Sequence, residues 1–300
     1  MRNKRDGVPT WNFPLRSLIA FYPNDRSREE QPGWCTHQDT FCAMNPLTVE
    51  SFRCIDALLV RQEVELFEAF TKIETSNSYI VLGASQGEAK CRYLVVEDSP
   101  YYGLAKLLGN RRPFTLRVVE IGLNDTTATA RSGIGGCDIN PHLLQKEAVL
   151  LIERPFAFIQ QNVLIKDGRG SLMGTVTKEV CQCWNRDFIV RDANNVPVLK
   201  LHQGFEIMSL LGVPRWKWSL IDMHTGLVVG DLRKQWSGLM QELMTDADNF
   251  GVQFRSSNVM PTTHKFLILA SIFLIDFLYF EDNDQNSKSK RKGGLGMFLN

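Results

Sequence analysis

From Ile55 onward, short runs of β-branched and aromatic residues alternate with glycine, asparagine and aspartate. That grammar predicts β-hairpins. Tyr79-Ile80-Val81-Leu82 pairs with Cys91 to Val96 across Ser85-Gln86-Gly87, and Asn162-Val163-Leu164-Ile165 with Met173 to Val176 across Asp167-Gly168. Phe188-Ile189-Val190 pairs with Val198 to Leu201 across Asn194-Asn195, and Trp218 to Ile221 with Leu227-Val228-Val229 across His224-Thr225-Gly226. Strands recurring this often, with no long helix between them, predict a mainly β fold. An antiparallel barrel or sandwich is favoured over any βαβ architecture.

Three segments depart from this pattern. Residues 1–48 show no sustained period of 2 or 3.6 and are predicted to be an irregular leader. Trp236 to Met244 places Leu239, Met240, Leu243 and Met244 at helical spacing, which predicts a short amphipathic helix. Phe266 to Phe280 is apolar on every side except at Ser271 and Asp276, so this segment is buried in protein or in lipid.

As a helix, 266–280 would reach about 22 Å, against a bilayer core of about 30 Å. Asp276 would cost roughly 2 to 3 kcal/mol at bilayer depth, whereas Lys265 could snorkel to an interface. A helix filling the centre of a barrel meets the same composition, and an apolar run this short is more often core than span. Both placements fit the sequence, with the core preferred.

Composition narrows the picture a little. The 300 residues carry 34 basic and 33 acidic side chains, a net charge of +1, so no global field recruits nucleic acid or an acidic membrane. Seven cysteines, Cys35, Cys42, Cys54, Cys91, Cys137, Cys181 and Cys183, are an odd number at irregular spacing, and no secretory apolar stretch precedes them. A reducing, cytosolic setting for the bulk of the chain is expected. Arg2 stands where myristoylation needs glycine.

Catalytic motifs are weak. Gly83-Ala84-Ser85-Gln86-Gly87 matches G-x-S-x-G, but the residues that follow alternate as a strand, whereas a nucleophile elbow needs a helix there. A hairpin turn is the better reading. Gly133-Ile134-Gly135-Gly136 lacks the context of a nucleotide loop, and neither Cys35 and Cys42 nor Cys181 and Cys183 have zinc spacing. The acidic stretch Asp246-Ala247-Asp248-Asn249-Phe250-Gly251 places Asp246, Asp248, Phe250, Val252 and Ser257 at positions 1, 3, 5, 7 and 12 of an EF-hand-type loop. Phe250 supplies no side-chain oxygen and Ser257 no closing carboxylate, so any calcium site here is expected to be weak; an Asx turn leading into a strand is the alternative.

Several blocks carry a family resemblance. Thr245 to Phe254, Phe273-Leu274-Ile275-Asp276-Phe277 and Lys234-Gln235-Trp236-Ser237-Gly238 resemble the C-terminal signature blocks of the phospholipid scramblases. Val64 to Glu68, Ile73 to Asn77, Arg112 to Arg117 and Leu151 to Pro155 follow in the family's order, so the resemblance spans residues 49–281. It implies a tubby-like antiparallel barrel enclosing or preceding the hydrophobic C-terminal helix, 265–280. Implied domains are a leader at 1–48, the barrel at 49–281 and a polar, basic tail at 282–300.

The resemblance also implies function: passive, ATP-independent, calcium-modulated, bidirectional movement of phospholipids, with no bond chemistry. Its attributed calcium loop falls on Asp246 to Ser257, and Ca2+ is the expected cofactor. Phospholipids, a membrane and a homo-oligomer are the expected partners. A plasma-membrane location with the N-terminal bulk in the cytosol, and a single pass if the helix spans, complete the expectation. Phe266, Phe273, Asp276 and Phe280 mark the helix. The family's palmitoylated cysteine cluster after Glu-Arg-Pro is replaced here by Phe156-Ala157-Phe158-Ile159. The alternative function is a docked module, with Arg111, Arg112, Arg117, Arg215, Lys217, Arg233 and Lys234 as a candidate basic patch and no lipid transport.

Overall fold

The structure, a computed structural model, describes residues 46–62, 77–86, 88–98, 108, 111–122, 143, 145–179, 186–203, 216–235, 249–255 and 260–280. Among them are α1 (Pro46–Arg53), β1 (Ala57–Gln62), β2 (Ser78–Ser85), β3 (Glu88–Glu97), β4 (Phe114–Glu120), β5 (Leu150–Arg154) and β6 (Asn162–Asp167). There follow β7 (Leu172–Lys178), β8 (Phe188–Asp192), β9 (Pro197–His202), β10 (Lys217–Asp222), β11 (Val228–Gln235), β12 (Asn249–Phe254) and α2 (Thr262–Tyr279). Each strand pairs antiparallel with its sequence neighbour, and β1 pairs with β12, Leu58 opposite Val252, to close a barrel without edges.

All four predicted hairpins form, and in three of them the turn chemistry is local, whereas the Gln86 amide of the β2–β3 turn donates to Asp56 at 2.8 Å. The carboxylate of Asp167 accepts from the Arg169 and Ser171 amides, that of Asp192 from Asn194 and Val196, and that of Asp222 from His224 and Thr225. Each aspartate thereby satisfies amides that the ladder cannot reach. The G-x-S-x-G stretch is strand, turn and strand, with Ser85 ending β2 and Gln86 at φ 52. No helix follows Ser85, so the nucleophile elbow is absent here.

Alternation then builds the interior. Leu58 and Val60, Tyr79 and Val81, Leu116 and Val118, Leu199 and Leu201, and Phe250 and Val252 all point into one core together with α2. Barrels of about eleven or more strands are wide enough to hold a helix, and α2 fills this one. Every residue from Lys265 to Phe277 is buried. Its partners lie around the ring: Phe266 stacks on Phe52, Phe273 meets Tyr79, Phe277 meets Phe114 and Phe280 meets Phe250. Each fully buried Leu, Ile or Phe contributes about 1.5–3 kcal/mol, and no face of α2 is left for lipid.

Two boundaries differ from the sequence reading. The irregular leader was expected to reach residue 48, yet α1 starts at Pro46 and inserts Phe52 against Phe266 at a centroid distance of 4.1 Å. A single aromatic anchor gives no period to read. Helix α2 begins at Thr262, because Pro261 supplies the fixed φ and missing N–H suited to a helix start, and the barrel wall covers Thr262 and Lys265. The predicted helix at 236–244, the leader before residue 46 and the tail lie outside the described residues.

The wall approaches α2 closely at Gly174 of β7. A Cβ there would stand 2.3 Å from the Arg191 carbonyl oxygen and 2.9 Å from Leu267 Cδ2. Gly174→Ala is therefore expected to destabilise the barrel by about 1–3 kcal/mol, the usual cost of overpacking. Urea unfolding measures it, and a midpoint equal to wild type would show that the wall yields.

Candidate functional site

Ser271, Asp276 and Lys265 are buried polar groups of α2, and each has a partner. Ser271 Oγ donates to the Leu267 carbonyl at 2.9 Å, a bond within the helix. Asp276, 4% exposed, accepts from Tyr79 Oη of β2 at 2.8 Å and faces Lys234 Nζ of β11 at 3.6 Å. Lys234 lies 3.3 Å from the centroid of the Phe280 ring and 5.0 Å from that of Phe250, so both its charge and its stem are enclosed. A buried charge needs a partner and hydrogen bonds, and Asp276 has both without any lipid.

Lys265 sits at the opposite end of α2. Its ammonium donates to the carbonyls of Arg53 at 2.6 Å and Ile55 at 2.8 Å. Arg53 ends α1 and Ile55 lies two residues beyond, so a cation from α2 caps the negative C-terminal pole of α1. Lys265 is fully buried, in keeping with the core placement and not with a spanning helix whose lysine snorkels. Burial is the main cause that pushes its pKa down to about 8.

The mouth around the C-terminal end of α2 is ringed by cations. Arg112 makes a two-pronged pair with Glu97, both buried, and lies 4.8 Å over Phe277. Arg154, also buried, lies over Phe114 and donates to Gln161 Oε1. Asp187 collects Lys200 at 3.1 Å and His202 at 2.9 Å, while Glu179 faces Lys200 at 3.7 Å. Burial alone would raise the Asp187 pKa, but the bonds from His202, the Gln203 amide and Lys200 hold it below the usual range.

Two further cations in this ring have no acidic partner among the described residues. Lys178 Nζ lies 5.1 Å over Tyr279; Arg186 lies 5.1 Å over Tyr279 and 4.1 Å over Trp216. Burial, then the Arg186 charge, holds Lys178 below the ordinary lysine range, and burial likewise lowers Arg186. Tyr279 Oη and Trp216 Nε1 are enclosed without a hydrogen-bond partner in the described structure. The spacing of Lys178 and Arg186 in the sequence gave no signal for this cluster, because it is assembled from β7, the approach to β8, the approach to β10 and the end of α2.

The proposed basic patch does not assemble as one surface. Arg112 is engaged with Glu97, Lys234 with Asp276 and Lys217 with Asp231 at 3.4 Å, while Arg117 donates to the Lys146 carbonyl. Arg215 lies outside the described residues.

Of the expected calcium-loop positions, two can be followed. Asp246, Asp248 and Ser257 lie outside the described residues, whereas Phe250 and Val252 sit in β12, register-paired with β1 on one side and β11 on the other. Phe250 is buried below the Lys234 cation and Val252 is fully buried. Phe250 offers no side-chain oxygen at position 5, and position 7 calls only on the Val252 carbonyl. Among the described residues no cluster of three or more His, Cys, Asp or Glu side chains is placed to hold a metal.

Cys54 and Cys91 are free thiols, and burial pushes Cys91 up to about 12, leaving it unreactive. The other five cysteines are outside the described residues.

A family profile described as Scramblase matches residues 36–282. Phospholipid scramblase 1 of Mus musculus is 31% identical over 243 residues, covering 79% of this chain and 64% of its own length. Phospholipid scramblase 2 of Homo sapiens is 28% identical over 236 residues, with 79% and 71% covered. Phospholipid scramblase family member 5 of Homo sapiens is 25% identical over 240 residues, with 79% and 78% covered. No solved structure matches the chain.

Proposed function

The chain belongs to the scramblase family, and from that premise we propose that it acts on phospholipids at a membrane, as a passive path for their movement between leaflets. The match over residues 36–282 carries this reading, supported by relatives whose names describe phospholipid scramblases. Passive movement needs no ATP and runs in both directions, because it only lowers the cost of carrying a polar headgroup through hydrocarbon. Such a path needs a continuous polar surface across the bilayer. One barrel whose helix is enclosed does not offer it, so scrambling on this reading draws on several copies or on deformation of the bilayer. The protein works as a translocator and forms no bonds to its lipid.

A second reading is favoured by one observation, the burial of α2 from Lys265 to Phe277. A folded barrel that keeps this helix inside is a lipid-docked binding module without transport. Reconstituted vesicles carrying fluorescent phospholipid separate the two. Scrambling is expected to give ATP-free exchange above that of protein-free vesicles; binding without exchange leaves the module. Millimolar calcium added to the same assay reports on the segment Asp246 to Asp248 separately. Alkaline carbonate is expected to release the protein from membranes, and retention in the pellet would mean that α2 has left the barrel to span.

A further inference from the structure

The β5–β6 connection carries the two most exposed large apolar side chains among the described residues. Phe158 is 73% exposed, Ile159 76% and Phe156 42%, and these three lie within one short loop. Leaving such side chains in water is unfavourable, and neighbouring ones form a patch of the kind that marks an interface.

The loop is also held in shape. Gln161, itself buried, accepts from Arg154 and donates through Nε2 to the Ala157 carbonyl at 2.7 Å, bracing the middle of the loop from inside. Phe156 and Phe158 meet edge to face at 4.8 Å. The apolar side chains are thereby presented outward on a fixed base.

What lies beside the loop identifies the partner. The Lys178 amide donates to the Gln161 carbonyl at 2.8 Å, so the end of β7 adjoins the base of the loop. There stand Lys178 and Arg186, two cations of this mouth with no acidic partner among the described residues, packed on Tyr279 and Trp216. The acids of the same mouth, Glu179 and Asp187, are occupied by Lys200 and His202. Aromatic and aliphatic side chains projecting beyond a rim of cations match an anionic lipid leaflet, with hydrocarbon beneath a layer of phosphates.

We propose that the loop Phe156 to Ile159 is a wedge that inserts into the interface of an anionic bilayer, with Lys178 and Arg186 meeting lipid phosphates. This sets the barrel on the membrane by the mouth at the C-terminal end of α2. The assignment deepens the phospholipid reading above and rests on it.

The test is co-sedimentation of the full chain with phosphatidylcholine vesicles containing phosphatidylserine, compared with phosphatidylcholine alone. Phe158→Ser with Ile159→Ser, both changes on exposed side chains, is expected to weaken binding to the anionic vesicles by about tenfold or more while leaving the melting temperature unchanged. Lys178→Gln with Arg186→Gln is expected to weaken it by about fivefold per charge removed and to flatten its salt dependence. As a readout that does not depend on affinity, Phe158→Trp is expected to gain quenching by brominated lipid above the wild-type signal.

Wild-type binding that the wedge variant retains in full overturns the proposal and leaves the phospholipid reading standing. Unchanged vesicle binding with altered self-association overturns it too, and assigns the loop to a contact between copies. A wild-type chain that binds neither vesicle overturns both.

Discussion

Replacing Asp276 by leucine is expected to lower the stability of the barrel by about 3–5 kcal/mol, the cost of removing one member of a buried ion pair. Lys234 would stay enclosed against Phe280 and Phe250, 3.3 Å and 5.0 Å from their ring centroids, with the Asp276 carboxylate gone, and Tyr79 would lose the 2.8 Å bond to it. For a domain of this size the melting temperature would fall by about 10 °C. Urea unfolding followed by circular dichroism measures the change. Adding Lys234→Met is expected to restore most of it, since well-packed apolar replacements of buried pairs are often neutral. A single variant within about 1 kcal/mol of wild type, or a double variant no better than the single, would sink this account.

That pair of variants also bears on function. In the Asp276→Leu protein a loss of lipid exchange would mix lowered stability with any role of the carboxylate, so the single change cannot assign it a role on the path. The double variant keeps the fold and removes the carboxylate. Exchange at the wild-type rate in Asp276→Leu with Lys234→Met would confine Asp276 to holding the helix inside the barrel.

Lys265 is expected to give the barrel an unusual rise in stability with pH. Its folded pKa, about 8, lies below the unfolded value of 10.5 because burial penalises the ammonium. Below pH 8 both states carry the proton and the penalty is constant. Between pH 8 and 10.5 the unfolded chain binds more protons, so stability rises by about 3 kcal/mol in total. Above 10.5 nothing further changes from this group.

Lys265→Met removes that rise. Near pH 7 the loss of donors to the Arg53 and Ile55 carbonyls is offset by removal of the buried charge, so the variant is expected to lie close to wild type. By pH 10 it is expected to fall about 2–3 kcal/mol below. Cys91 titrates in the opposite sense: its folded pKa is raised to about 12 from 9.0, so its contribution is lost as pH rises through that range. It is present in both proteins, and its coupling to Lys265 is the smallest cause of its shift, so the difference between their unfolding curves reports mainly on Lys265. Parallel curves from pH 7 to 10 would show that Lys265 is not desolvated.

The hairpins were readable because everything that forms them is local. A period of two, β-branched residues and an aspartate or glycine at the turn all act within about ten residues, as at Asp167, Asp192 and Asp222. The apolar stretch in α2 was readable as a buried helix for the same reason, since apolarity on all sides requires enclosure. Its start was missed, because Thr262 and Lys265 look solvent-facing until the wall covers them. Asp276 and Lys265 were legible as anomalies in an apolar run, but their partners were not. Tyr79 lies 197 positions from Asp276, and the carbonyls of Arg53 and Ile55 lie 212 and 210 positions from Lys265.

The sequence by itself determined a mainly β chain of antiparallel hairpins, an all-round apolar helix and the family blocks that join them. Local pattern suffices for each of these. Only the tertiary structure decided that the helix fills the barrel, that Asp276 and Lys265 answer to the wall, and that Lys178 and Arg186 gather beside the exposed Phe158 and Ile159. Closing the ring brings residues together across almost the whole chain, as in the pairing of Leu58 with Val252. Spacing along the chain encodes no such contact, because it depends on how many strands separate two residues around the barrel and on which way each side chain alternates.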